Sequence, residues 1–171
     1  MRQKVLVIDT SILLVWFQVP GKETCGPDGD RWDHERVRTK LDAEEAAGSL
    51  LVLPLASIIE TGNHIAQAPK KRRDCADRLA RLMSDSADAR TPWAAFSLQS
   101  ELWSPEKLKS LAAVWPALAD QRLSLGDATI KDVAEFYAAL GHRVEIFTGD
   151  QGLKAYEPIM PPEVPRRRRR S

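Results

Sequence analysis

Three short apolar runs, separated by long helical patterns, constrain the fold of this chain more than any other feature. They are KVLVI at residues 4–8, LLVL at 50–53 and RVEIFT at 143–148. Runs dominated by aliphatic and β-branched residues are typical of strands buried on both faces. Such strands, joined by helices, form parallel βαβ units. The sequence therefore predicts an α/β fold, an open parallel sheet with helices on both faces.

Helix signals occupy most of the chain between these runs. Pro54 and Ser104 are suited to begin helices, and Gly141 is suited to end one. The Pro- and Gly-rich residues 19–29 predict a loop. The predicted helices span residues 12–17, 32–47, 55–68, 72–84, 104–118 and 126–140, with a further strand at 93–98 and a turn at 149–152.

Length and composition indicate one folded domain. The chain has 171 residues, of which 43% are hydrophobic and 29% charged, a balance that excludes a largely disordered or fibrous protein. We expect residues 1–156 to form the domain and 157–171 to be a disordered Pro/Arg-rich tail. No apolar run approaches the roughly 20 residues that span a bilayer. We expect a cytoplasmic protein with no membrane partner.

The basic residues are unevenly distributed, although the net charge is only +1. Five of the 25 lie at 166–170, which leaves 20 basic against 24 acidic residues in the rest of the chain. A mildly acidic body argues against binding nucleic acid by overall attraction alone. The tail is suited to be an arm for RNA or a solubilising segment. The second basic cluster consists of Lys70, Lys71, Arg72 and Arg73.

Four acidic residues fall close to the ends of predicted strands. Asp9 follows the first strand directly, Glu60 lies on the helix after the second, Asp127 begins a helix and Asp150 follows the third strand. Carboxyl ends of parallel strands share one edge of a sheet. Clustered carboxylates repel one another, and Mg²⁺ or Mn²⁺ would neutralise them and activate a water for attack at phosphorus. Taken singly, each acid is equally suited to be a surface residue or a helix cap.

These acids lie within motifs that resemble the PIN-domain family of metal-dependent ribonucleases. The motifs are VIDTS at 7–11, LPLASIIE at 53–60, LGDA at 125–128 and FTGD at 147–150, in the family's order. The resemblance extends to about residue 156 and implies a PIN-like fold. It also implies an endoribonuclease, often the toxin of a toxin–antitoxin pair. By the same resemblance Asp9, Glu60, Asp127 and Asp150 are catalytic and metal-binding, with Ser11 and Thr148 as supporting hydroxyls.

Substrate and partner contacts are predicted around this site. His64 lies one helical turn after Glu60, and it joins Lys70, Lys71, Arg72 and Arg73 as a substrate-binding residue. RNA is the expected substrate, and the family resemblance adds an antitoxin or another inhibitory protein. The apolar segment 12–17 and the helix 55–68 would form its groove. The alternative is that Trp16 and its neighbours belong to the core. A homodimer is left open.

Two other functions are compatible with the sequence. The first is a PIN-like scaffold without catalytic activity that binds RNA or protein. The second is a phosphatase of the haloacid dehalogenase type, in which an aspartate after the first strand is the nucleophile. That mechanism needs a second aspartate two residues later, where this chain has Ser11. A further departure from the PIN pattern is Gly152, which stands where many members carry another acid.

Overall fold

The three apolar runs form one parallel sheet at the centre of the structure, a computed structural model that describes residues 2–159. The strands are β1 (Lys4–Ile8), β2 (Leu50–Val52) and β3 (Arg143–Phe147). Their order is β2-β1-β3, so β1 is hydrogen-bonded along both edges. This arrangement confirms the α/β class and the parallel sheet.

Five of the α-helices in residues 2–159 begin where the sequence supplies a capping side chain. The side chains of Asp9, Asp33, Ser104, Ser124 and Asp150 each accept a hydrogen bond from a backbone N–H in the first turn of the helix that follows. The α-helices in residues 2–159 are α1 (Thr10–Trp16), α2 (His34–Ala46), α3 (Leu55–Gln67), α4 (Arg72–Ala87), α5 (Pro105–Asp120), α6 (Leu125–Ala139) and α7 (Gln151–Lys154), with a 3₁₀ helix at Phe96–Trp103.

Helices cover both faces of the sheet, as predicted, because successive strand side chains point to opposite faces. Leu6 and Ile8 belong to a core shared with α1, α2, α3 and α4. Val5 and Val7 belong to a second core shared with α6 and α7. Both cores are closely packed, and all four of these β1 side chains have no exposed surface.

Helix α1 is part of the first core, which decides between the two predictions made for it. The segment 12–17 does not expose its aliphatic residues as one wall of a partner groove, and they pack in the core instead. Trp16 is half-buried and stacks on Phe17, with ring centroids 5.6 Å apart. The α1 side chains point into the core because the helix lies directly on the sheet. The fully or almost fully buried residues are Ile12, Leu13, Leu14, Val15 and Phe17.

Two local predictions were wrong. Residues 93–98 were predicted to be a strand, but only Trp93 forms a bridge, to Leu51, before the chain turns into the 3₁₀ helix. Gln99 holds that helix in place by donating from Nε2 to the Leu53 carbonyl at 3.0 Å. Residues 149–152 were predicted to be a turn, but Asp150 caps a short helix, α7, that starts at residue 151.

Helix α5 lies at the periphery, against α6 and the 3₁₀ helix, and none of its residues is fully buried. Its last turn is tied to the segment that leads into α6. Trp115 Nε1 donates to the Leu123 carbonyl at 3.3 Å, and the Leu123 N–H donates to the Leu118 carbonyl at 3.0 Å. The peripheral helix is therefore connected to the start of α6.

A network of ion pairs attaches α2 to the sheet. Glu145 on β3 pairs with Lys4 at 2.6 Å and with Lys40 at 3.0 Å, and both lysines also pair with Glu44. Ser49 Oγ donates to Glu44 Oε2 at 2.6 Å. Burial alone would raise the pKa of Glu44, but the hydrogen bonds from Lys4 and Ser49 and the charge of Lys4 lower it to about 2.

Three further predictions concern the cysteines, the membrane and the tail. Cys25 and Cys75 are both free. Within residues 2–159, no helix combines the length and the apolar character needed to cross a bilayer. Most of the predicted tail, including the arginines at 166–170, lies outside the described residues.

Replacing Glu44 with Gln should destabilise the fold by about 1–2 kcal/mol at pH 7, because two lysines lose a charged partner in a partly buried network. A carboxyl with a lowered pKa stabilises the folded state above its ordinary value of 4.5, and that contribution is lost as the pH falls toward 2. Urea unfolding at pH 7 and at pH 3 measures both effects. Glu45→Gln, at an exposed neighbour on α2, is the matched control, and an equal loss in both variants would contradict the assignment.

Candidate active site

The order of the strands places a crevice at the carboxyl end of the sheet, between β1 and β3. The chain leaves β1 toward β2 on one side and returns to β3 on the other, the arrangement in which ligands bind to open parallel sheets. A cavity of about 390 Å³ opens there. Residues predicted from the sequence that line it are Asp9, Ser11, Glu60, His64, Asp127 and Asp150.

Asp9 lies at the floor of the cavity with only 4% of its surface exposed. Its Oδ2 atom accepts hydrogen bonds from Ser11 Oγ at 2.6 Å, from Thr148 Oγ1 at 2.7 Å and from the Ser11 N–H at 3.3 Å. Within the described chain, Oδ1 accepts none. The carboxylate is therefore held by one oxygen, and the other is available to a ligand.

The two hydroxyls that hold Asp9 are themselves held by the end of β3. Ser11 Oγ accepts from the Gly149 N–H at 3.0 Å, and Thr148 Oγ1 accepts from the Asp150 N–H at 2.9 Å. Each hydroxyl thus accepts a backbone hydrogen bond and donates to the carboxylate. This chain of bonds fixes the β1 and β3 ends of the site relative to each other.

Asp150 combines a capping role with an exposed position at the rim. Its Oδ1 atom accepts from the N–H groups of Gly152 at 2.7 Å and Leu153 at 3.3 Å, at the start of α7. The side chain also lines the cavity. The capping bonds fix the direction of this carboxylate and leave Oδ2 without a hydrogen bond from residues 2–159.

Asp127 faces the cavity from the first turn of α6. Ser124 caps this helix by accepting from the Asp127 N–H at 3.0 Å, and its hydroxyl donates to Asp127 Oδ2 at 2.7 Å. Burial raises the pKa of Asp127, and the charges of Asp9 and Asp150 raise it further, against the hydrogen bonds from Ser124. The three carboxylates act on one another in this way because they line the same cavity.

Glu60 enters the cavity from α3. Thr10 Oγ1 donates to its Oε2 atom at 3.2 Å. Burial is the main reason that its pKa is raised, with contributions from the charges of Asp127 and Asp9, and the bond from Thr10 acts in the opposite direction. Its other oxygen, Oε1, lies against Gly126, where a Cβ would overlap it. The absence of a side chain at Gly126 therefore leaves the space that the Glu60 carboxylate occupies.

The four carboxylates have the chemistry of a site for a hard divalent cation. All their donors are oxygen, and none of the four forms an ion pair with a lysine, arginine or histidine in residues 2–159. In that same stretch, no three acidic, histidine or cysteine side chains form a group arranged to hold a metal ion. The donor types fit Mg²⁺ or Mn²⁺, and binding would require the side chains to move closer together.

The sequence did not indicate that the loop after α1 forms a wall of this cavity. Lys22, Thr24 and Cys25 line it. A Cβ at Gly149 would lie 2.6 Å from Cys25 Sγ, so this loop packs directly on the end of β3. The Pro- and Gly-rich segment has no periodicity, and only the tertiary fold brings it over Asp9. Burial is the largest cause that raises the pKa of the Cys25 thiol.

Of the predicted substrate-binding residues, only His64 lies at the cavity. His64 lines the cavity, one turn from Glu60. The basic cluster at the start of α4 does not line it. Within that cluster Arg72 donates to the Ala68 carbonyl at 2.9 Å and Arg73 pairs with Asp77 at 3.1 Å, while Lys70 and Lys71 are exposed.

Comparisons with known proteins add no assignment. No family model, curated protein or solved structure matches this chain. The resemblance to PIN domains therefore stays a prediction from the motifs, and the geometry of the cavity carries the functional argument.

Replacing Gly126 with Ala should displace the Glu60 carboxylate while leaving the fold intact or up to about 1 kcal/mol more stable, because alanine favours a helix. Binding of Mn²⁺, measured by calorimetric titration, should weaken. Gly149→Ala is the contrasting variant, because its Cβ would meet the Gly26 backbone nitrogen at 2.7 Å. We expect a loss of about 1–3 kcal/mol in urea unfolding for that variant. Equal stability losses in the two variants would contradict this distinction.

Replacing Glu60 with Gln should stabilise the metal-free protein at pH 7. A carboxyl with a raised pKa destabilises the folded state when it is charged, and this cost disappears as the pH falls through the folded-state value. We expect a gain below about 1 kcal/mol, because water screens the cavity. Thermal unfolding in chelator at pH 7 and pH 3 measures it. A gain in stability that persists at pH 3 would show that the charge of the Glu60 carboxylate is not its cause.

Proposed function

We propose that this protein is a metal-dependent endoribonuclease of PIN-like fold that hydrolyses RNA phosphodiester bonds. The observation that carries the proposal is the cavity at the carboxyl end of the sheet, lined by Asp9, Glu60, Asp127 and Asp150. These acids come from four separate places in the chain. Mutual repulsion makes such a group costly unless it serves a cationic ligand.

The four carboxylates would hold Mg²⁺ or Mn²⁺, with Asp9 contributing through Oδ1. Bound there, the cation supplies an activated water and stabilises the charge that develops on the phosphoryl oxygens. Ser11 and Thr148 are supporting residues, because their hydroxyls occupy Asp9 Oδ2 and orient the carboxylate. These roles agree with the motif resemblance residue by residue.

In the hydrolysis one bond to phosphorus forms, another breaks, and protons are transferred. The oxygen of water forms a bond to phosphorus while the bond from phosphorus to one ribose oxygen breaks, and that oxygen takes a proton from solvent as it leaves. The proton lost by water passes to a carboxylate of the cavity. Glu60 and Asp127 are suited to accept it, because both carboxylates line the same cavity as Asp9.

Regulation and location follow from the same proposal. A cytoplasmic ribonuclease with an open acidic cavity needs an inhibitor, and we propose an antitoxin-like protein that covers the cavity. The burial of α1 moves the expected contact toward α3, where Ile59 has 53% of its surface exposed. The identity of this partner rests on the family resemblance.

A binding scaffold without catalysis is the second candidate. The observation that favours it is that the acids of residues 2–159, as placed, do not form a ready group of three metal ligands. A scaffold would bind RNA or protein at the same edge of the sheet without needing a cation. Only a catalytic assay distinguishes the two.

Replacing Asp9 with Asn should lower RNA cleavage by about two orders of magnitude or more, because the ligand charge at the cavity floor is lost while the shape is kept. Labelled RNA is incubated with the purified full chain in Mg²⁺ or Mn²⁺ and again with chelator. Asp42→Asn, at an exposed position on α2, is the control and should cleave like the wild type. Cleavage that survives chelator, or that is undiminished in Asp9→Asn, would sink the proposed mechanism, and no cleavage by the wild type would favour the scaffold.

A further inference from the structure

We infer that Lys22, in the loop after α1, binds a phosphate of the RNA beside the acidic cavity. This inference rests on the proposed function and adds a positioning residue to it. Lys22 was not singled out by its sequence context, and it lies 13 residues beyond Asp9 in the chain. The position of Lys22 at the cavity is the reason that we assign phosphate binding to it.

The loop carries Lys22 to the rim of the cavity. The chain turns at Gly21, whose φ of +83° favours glycine, and the Lys22 N–H donates to the Val19 carbonyl at 2.9 Å. Lys22 lines the same cavity as Asp9 and His64, and it is exposed. It therefore contacts both the site and solvent.

The loop is fixed to the end of β3. Cys25 and Trp32 exchange two backbone hydrogen bonds, at 3.0 and 2.8 Å, which close the segment into a hairpin-like unit. Trp32 packs edge-on against Phe147, with ring centroids 4.9 Å apart. The packing of Gly149 against Cys25 completes the attachment. Because the base of the loop is held at the strand that carries Thr148, Lys22 has a defined position at the site.

The charge of Lys22 is available to a substrate. Although four carboxylates line the same cavity, Lys22 forms no ion pair with any acidic side chain in residues 2–159. An acidic cavity repels the RNA backbone, and a cation at its rim offsets that repulsion where the strand enters. An ammonium group is suited to this role, because it contacts phosphate oxygens without reading the base sequence.

The test measures binding and cleavage separately. Binding of a fluorescein-labelled single-stranded RNA to the full chain is followed in chelator over a range of salt concentrations. For Lys22→Gln we expect about tenfold weaker binding, and a slope of log affinity against log salt that is smaller by about 0.7, the value for one lost phosphate contact. Lys22→Arg should restore both quantities, because it keeps the charge. Lys109→Gln, at an exposed position on α5, should match the wild type.

In the cleavage assay with Mn²⁺, Lys22→Gln should raise KM about tenfold and change kcat less, as expected for a residue that holds substrate. An unchanged salt slope and KM in Lys22→Gln, with normal cleavage by the wild type, would overturn the role of Lys22 and leave the nuclease proposal intact. Absence of cleavage by the wild type would overturn the nuclease proposal, while the binding arm still decides whether Lys22 contacts RNA. Failure of Lys22→Arg to restore binding, or no RNA binding by the wild type, would also overturn this inference.

Discussion

The buried carboxylate of Asp9 organises the carboxyl end of the sheet. A charged group with so little exposure must be satisfied by hydrogen bonds, and here Ser11 and Thr148 supply them from two neighbouring strand ends. Those hydroxyls are in turn held by the backbone N–H groups of residues 149 and 150. One carboxylate oxygen thus joins the ends of β1 and β3 at this edge.

Acidic side chains have basic partners in one part of the fold and have none from the described residues in another. Beneath α2, the acids Glu44 and Glu145 are neutralised by lysines, and that network stabilises the folded state. In the cavity, Glu60 and Asp127 have raised pKa values because burial and neighbouring acids disfavour their charged forms. The protein thus retains an unfavourable cluster at one edge and compensates elsewhere, the distribution expected when a site is selected for binding and not for stability.

The sequence predicted well what depends on local pattern and less well what depends on tertiary contact. The strands were found because runs such as 4–8 are apolar throughout, and Asp9 and Asp150 were found because they follow such runs. The exposed groove expected at 12–17 was wrong, because an apolar helix segment has the same pattern whether a partner or the sheet covers it. The strand expected at 93–98 was wrong because its apolar run also fits a short helix, which Gln99 anchors to Leu53. Lys22 and Cys25 had no local signal, since only the packing of their loop on β3 brings them to the site.

Helix α5 is attached next to the residue that orients one carboxylate of the cavity. A helix without a fully buried residue is a region of low local stability, which opens more readily than the sheet. Its links to the rest of the chain include the contacts of Trp115 and Leu118 with residue 123. The next residue is Ser124, which caps α6 and orients Asp127. Fraying of this peripheral helix would therefore reach Asp127, through Ser124, before it reached Asp9, which is anchored between the strands.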